Sequence, residues 1–418
     1  MILARLVPPR RRAAVVGAVA AALMLVTACT QGPAPVTGGE TPLSPLDGEP
    51  RTTTTATDLT TLLVTPREPA VPVVGSSDQV IVTYELGLQN TTPLTLTPTE
   101  VQVLAPSGAV VQTLDQAATA AALAQPAARG GVHQLTHAQS ATLYVTLRFP
   151  TRSVVPEHLD NRVTVSGEGL PGGTATTGPV AVPVSSLVAP VLGPPLEPGS
   201  RYIAADSCCD SPRHRRALLP IENRFWLAQR FAVDWEQLDS NNRTVAGDDA
   251  ANPADYTIYG KKVISAADGV VVHVITGLPD ERPGALPSDT SPAKADGNSV
   301  IVNIGMGLYA LYAHMQDGSI TVREGQRITR GQQLGLVGNS GNTSAPHLHF
   351  HVMDGPSPLA SEGVPYVIDF FTTTGQITST EAFDRLENTT QPLPVRPLPT
   401  DGRHSDQMPL DRDLVTFP

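Results

Sequence analysis

The chain has 418 residues, of which 40 are proline and 35 glycine, with 40% apolar and 16% charged residues and a formal net charge of −11. Proline at about twice its average usage excludes one uninterrupted globule, and the length accommodates two ordinary domains joined by linkers. The excess of acid excludes the basic surface that a nucleic-acid partner requires.

The first 28 residues carry Arg5, Arg10, Arg11 and Arg12 and no acid, and Ala13 to Val26 is an uncharged run rich in alanine and valine. That run is shorter than the ~20 residues a spanning helix needs and suits the apolar region of a signal peptide. It ends in Val26-Thr27-Ala28-Cys29, which resembles the lipobox of bacterial lipoproteins. The resemblance implies a signal peptide over 1–28, a lipid anchor on Cys29, and an extracytoplasmic protein held to the membrane of the cell envelope. Residues 29–57 contain Pro33, Pro35, Pro42, Pro45, Pro50 and the run Thr52 to Thr55 with almost no large apolar side chain, as expected of an extended tether. The other cysteines, Cys208 and Cys209, are adjacent and too few for a disulfide framework. A vicinal disulfide, an intermolecular pair and free thiols all remain open.

From 58 to 188 the sequence alternates apolar and polar residues in short runs such as Val80 to Leu86 and Ala141 to Leu147, broken by Asn90, Pro93, Pro106, Gly108 and Gly172-Gly173. Period-two runs between turn residues predict an all-β region, here an immunoglobulin-like sandwich. The alanine-rich piece Gln116 to Ala128 reads as a short helix or a long loop. Its His133, His137 and His158 read as surface residues. A proline-rich linker over 189–199 precedes a second all-β domain over 200–375, with strands expected at Val263 to Ala267, Gly269 to Ile275, Ser299 to Ile304 and Leu308 to His314. Residues 277–297 form an insertion long enough to serve as a wall or lid. Beyond 376 a short helix around Glu381 to Leu386 gives way to Pro392, Pro394, Pro397 and Pro399, and 376–418 reads as a disordered tail.

The most concentrated chemistry is Pro346-His347-Leu348-His349-Phe350-His351. On a strand, alternate side chains share a face, so the three imidazoles point the same way. Imidazole is a preferred zinc ligand and the side chain best suited to acid–base work near neutrality.

Upstream lie, in order, Gln229-Arg230-Phe231-Ala232-Val233-Asp234-Trp235, Ala266-Ala267-Asp268-Gly269, Gly297-Asn298-Ser299, Leu311-Tyr312-Ala313-His314-Met315 and Arg330-Gly331-Gln332-Gln333-Leu334-Gly335. With the His-Leu-His strand this ordered set closely resembles the lysostaphin/LytM-type zinc peptidases, over roughly 225 to 371. The resemblance implies a LytM-type antiparallel β-sheet domain, a zinc cofactor and hydrolysis of cross-linking peptides in peptidoglycan. It implies Asp234 and His349 as zinc ligands, and His314 and His347 as the imidazoles acting on water and the developing oxyanion. One position departs from the family. Four residues before Asp234, where the family has a histidine ligand, stands Arg230, whose guanidinium has no lone pair to give. His214 is the candidate replacement and His351 a second, while His273 reads as a sheet-face residue. Arg230 also leaves open a non-catalytic domain that binds peptidoglycan or regulates a hydrolase, with the guanidinium neutralising Asp234.

Overall fold

The computed structural model describes residues 59–125, 131–284, 286–288 and 291–418. The expectations for the signal peptide, Cys29 and the tether lie outside them. Strands dominate, and Leu59–Pro418 forms one compact unit built from two regions.

The first region is a pair of five-stranded antiparallel sheets. One orders Leu62–Pro66, Val80–Asn90, Ser140–Phe149 and Leu123–Ala124, with Val71–Val74 also paired to Val80–Asn90. The other orders Val180–Pro183, His158–Ser166, Thr97–Leu104 and Val110–Leu114, with Thr174–Thr176 on His158–Ser166. Val82, Tyr84 and Leu86 of the first sheet share a core with Val101, Val103 and Val163 of the second. The Tyr84 hydroxyl donates to Asn161 Oδ1 at 2.7 Å across that core. Within the alanine-rich piece, Gln116–Ala122 forms a helix capped by Asp115.

Alternation in Val80 to Leu86 predicts one buried and one wet face, yet all seven residues are buried. Ile81, Thr83 and Glu85, which point away from the sandwich core, are covered by the second region, and Ile81 belongs to that region's core. The sandwich and the second region therefore share an apolar and charged interface.

The second region is centred on one antiparallel sheet. Its order is Arg327–Ile328, Gly269–Ile275, Asn298–Gly305, Leu308–Met315, Leu348–Met353, Val233–Gln237, Gly199–Ala205, Asp413–Phe417, Phe371–Ile377 and Val395–His404. Period-two geometry divides each central strand. Trp235, Tyr312, Leu348 and Phe350 face the main core together with Tyr202, Tyr366 and Phe417. Asp234, Ala313, His349 and His351 occupy the opposite face.

Two expectations are corrected here. Residues 376–418 are not a disordered tail: Thr380–Leu386 is a helix, and Asp413–Phe417 is an interior strand paired with both Gly199–Ala205 and Phe371–Ile377. The prolines that suggested disorder fall before and within Val395–His404, the last strand of the sheet, where a missing N–H can be tolerated at an edge. The sheet thus runs past the expected boundary at 375. Nor is 189–199 a bare linker, since Val191–Leu192 pairs in parallel with Val367–Ile368 and Gly199 already begins a strand. Cys208 and Cys209 are joined as a disulfide.

Candidate functional site

Strand register brings the principal residues together. Asp234 stands opposite His349 on one side, and Ala313 stands opposite His349 on the other. The small Ala313 side chain leaves the imidazole room. His349 Nδ1 lies 2.7 Å from Asp234 Oδ1. His347, just before the strand, places Nε2 3.5 Å from the same oxygen. From across the cleft the Pro212–Arg215 helix delivers His214, with Nε2 3.3 Å from Asp234 Oδ2. His314 lies at the end of Leu308–Met315, its ring centroid 4.6 Å from that of His347.

Backbone carbonyls fix the proton on three of these rings. His214 Nδ1 lies 2.8 Å from the Asp206 carbonyl, His314 Nδ1 2.7 Å from that of Ser340, and His347 Nδ1 2.8 Å from that of Ala345. A carbonyl only accepts, so each Nδ1 carries hydrogen and each Nε2 of a neutral ring is left with its lone pair. His314 adopts φ 60°, a left-handed conformation uncommon for a side chain of this size. It is held there by its N–H donating to the Asp296 carbonyl at 2.9 Å and its carbonyl accepting from Gly338 N at 3.1 Å.

The electrostatics follow from burial and these neighbours. Burial works against a charge on Asp234, but His214 and His347 outweigh it and hold the carboxyl well below its ordinary range. Burial likewise opposes charge on His214, yet the facing Asp234 pushes it up to about 9. Burial, reinforced by His347 and His349, holds His314 well below the usual imidazole value, and burial also lowers His349. The cleft therefore contains one strong ion pair, His214 with Asp234, and beside it His314 and His349 held toward the neutral form.

Among the described residues, two groups bring ligand atoms within 4.8 Å of one another: His214, Asp234 and His349, and His314, His347 and His349. The first offers a carboxylate and two imidazoles, a borderline-soft donor set suited to zinc. A cation there would take the place of the proton that Asp234 now draws onto His214. His351 joins neither group. Its Nδ1 lies 2.9 Å from His349 Nε2, behind the cleft, and its Nε2 has no hydrogen-bond partner among the described residues.

Arg230 is not beside Asp234, which corrects the expectation that its guanidinium neutralises that carboxylate. Its side chain is buried in the interface with the sandwich, where Nη2 donates to Glu85 Oε2 at 2.8 Å and Glu362 Oε2 at 3.1 Å. His273 is half exposed beside Glu324 at 3.2 Å, on the sheet face as expected.

Asp296 is a residue that sequence reasoning missed. It lines the cleft with Arg213, Gln229, Leu286 and Thr343, and burial raises its carboxyl to about 7. The signal available was its place directly before Gly297-Asn298-Ser299. Leu286, Ala295 and Asp296 make the 277–297 insertion one wall of a cleft of about 290 Å³. The insertion is tied down where Glu281 N donates to the Asn339 carbonyl at 2.7 Å and the Tyr259 hydroxyl to Asp280 Oδ2 at 2.6 Å.

Residues 254–361 match the model of peptidase family M23. The matched segment contains Asp296, His314, His347 and His349, while His214 and Asp234 lie before it. The chain is 30% identical over 137 residues to the peptidoglycan DD-endopeptidase ShyA of Vibrio cholerae, covering 32% of this chain and 26% of that protein. It is 30% identical over 98 residues to the cell division protein DipM of Caulobacter vibrioides, covering 23% of this chain and 13% of that one. The chain thus spans about a quarter or less of the length of these curated relatives. Among solved structures, the catalytic domain of lysostaphin from Staphylococcus simulans matches at 20% identity, 35% of this chain, 80% of that chain and a TM-score of 0.21. A zinc-containing peptidase from Vibrio cholerae matches at 13% identity, 65% of this chain, 77% of that chain and a TM-score of 0.23. Among the described residues no helix is long and apolar enough to cross a membrane.

Proposed function

We propose that this chain is a zinc metalloendopeptidase that hydrolyses cross-linking peptide bonds of cell-wall peptidoglycan. The observation that carries the reading is the convergence of His214, Asp234 and His349 with two further imidazoles, His314 and His347, on one cleft. The family M23 match and the likeness to a peptidoglycan endopeptidase supply the reaction class and the substrate class. In this reading the protein works outside the cytoplasmic membrane, anchored through Cys29, with the sandwich as an immunoglobulin-like module beside the peptidase.

His214, Asp234 and His349 would hold the zinc, with His214 taking the role that Arg230 cannot. Bound there, zinc supplies Lewis acidity toward a peptide carbonyl and makes water a nucleophile near neutral pH. His347 presents its Nε2 lone pair to the cleft and serves as general base, then returns the proton to the departing amine. His314, held neutral by burial and locked by Ser340, approaches from the other side with its Nε2 lone pair, which accepts the second hydrogen of the attacking water and orients it. Asp296, about half protonated near neutrality, adds a hydrogen-bonding carboxyl to the wall that receives the peptide.

One argument for the non-catalytic reading, that Arg230 neutralises Asp234, falls away because Arg230 is paired with Glu85 and Glu362, while the family ligand missing at position 230 still speaks for it. The test is incubation of the full chain with purified peptidoglycan and added zinc. New amino termini that disappear with chelator and with His347→Ala support the peptidase. Tight binding to the wall with no cleavage, unaffected by chelator, overturns it in favour of a binding domain.

A further inference from the structure

The helix that brings His214 to Asp234 is four residues long, Pro212–Arg215, with no side-chain cap at its N-terminus. So short a turn has little stability of its own, and its position is set by what surrounds it. On one side Arg213 reaches acids of the second region, lying 3.4 Å from Asp206, 2.8 Å from Asp384 and 3.6 Å from Glu387. On the other side Arg215 is held by the sandwich. It is buried, ion-paired to Glu85, and its Nη2 donates to the Tyr84 carbonyl at 3.1 Å and the Val145 carbonyl at 3.3 Å. Its guanidinium lies over the Tyr144 ring, 5.2 Å from the centroid. His214, between these two arginines, points into the cleft.

Glu85 is the residue on which this arrangement turns. It is fully buried, on the face of Val80–Asn90 that the sandwich core does not use, and it receives both Arg215 and Arg230. Without it two guanidinium groups would share a dry interface in which Glu362 pairs with Arg230, and their mutual repulsion would press on the segment that carries His214.

We infer that Glu85 of the sandwich is a positioning residue for the metal site: through Arg215 it holds the Pro212–Arg215 turn so that His214 meets Asp234. The sandwich is then part of the peptidase site. The metal half of this inference rests on the zinc reading above, while the positioning of the turn does not. Of the two arginines paired with Glu85, Arg215 lies in the turn that carries His214 and Arg230 follows Gln229 of the cleft wall, so Arg215→Lys isolates the route through the turn.

The test uses the full chain. In chelator, amide hydrogen exchange across 211–217 is compared in wild type, Glu85→Gln and Arg215→Lys; the lysine keeps a positive charge but cannot reach both carbonyls and Glu85 at once. Zinc affinity is then measured on the same proteins and on Val163→Ala, which loosens the sandwich core away from the interface. Glu85→Gln is expected to speed exchange at 211–217 and weaken zinc about 10- to 100-fold, with Val163→Ala changing neither. If Glu85→Gln does not fold, Arg215→Lys gives the same readout, with the same direction expected. Unchanged exchange at 211–217, or faster exchange with zinc affinity no weaker than in Val163→Ala, overturns the inference. A wild type that takes no zinc overturns the zinc reading and with it the metal half, and exchange then decides the positioning half by itself.

Discussion

His214 Nε2 lies 3.3 Å from Asp234 Oδ2, although the two residues sit on separate elements facing each other across the cleft. In the metal-free chain this is an ion pair, with His214 raised to about 9 and Asp234 held low. A raised histidine stabilises the fold in full below its unfolded value of about 6.5 and loses that contribution as pH climbs through its folded value. In chelator, the stability gap between wild type and His214→Ala should therefore be on the order of a few kcal/mol near pH 6 and shrink toward pH 9. Urea unfolding at several pH values reads this. A gap that stays constant from pH 6 to 9 contradicts the pairing.

Gly297 adopts φ +61°, and a Cβ there would collide with the Ser340 carbonyl, the group that holds His314 Nδ1. Gly297→Ala must displace the Ser340 loop and with it His314. A misplacement of this kind costs catalysis about 100-fold. His349, Asp234 and His214 are not touched, so zinc content should be unchanged while peptide cleavage falls. Equal loss of zinc and activity would show that the loop supports the metal residues instead.

Arg230 is paired with two buried carboxylates rather than with Asp234. Removing one partner of a buried pair typically costs about 3–5 kcal/mol, so Arg230→Ala should lower stability by that order. Zinc affinity should stay within a few-fold, because Glu85 retains Arg215. Arg230→His should not restore a family-type ligand, since its side chain would face Glu85 and Glu362. A gain in zinc affinity in that variant contradicts the assignment.

The strands and turns of both regions were legible because alternation and turn residues are local properties. The ordered motifs also single out Asp234, His314, His347 and His349, whose side chains line one cleft. His214 was readable only as a candidate: its meeting with Asp234 depends on how the Pro212–Arg215 helix is held across the cleft, and no spacing in sequence encodes that. Arg230 was misplaced for the same reason, since Glu85 lies 145 positions away. The C-terminal strands were missed because proline content signals an edge as readily as disorder, and the Tyr202–Val415 pairing is distant in sequence.

Truncation after Ile377 gives a direct reading of that correction. It would remove Asp413–Phe417 from between two strands and strip Phe417 from Trp235, whose rings are 5.2 Å apart. The truncated chain should fail to fold or aggregate through the exposed edge. A soluble product with wild-type melting would show that the last strands are dispensable.

Zinc titration of the full chain, alongside His214→Ala, His349→Ala and His351→Ala, tests the central claim most directly. The account predicts about one zinc per chain in wild type, comparable severe losses of affinity for His214→Ala and His349→Ala because each removes a direct ligand, and a smaller loss for His351→Ala. Wild-type zinc retention in His214→Ala, or no zinc bound by the wild-type chain, would contradict it.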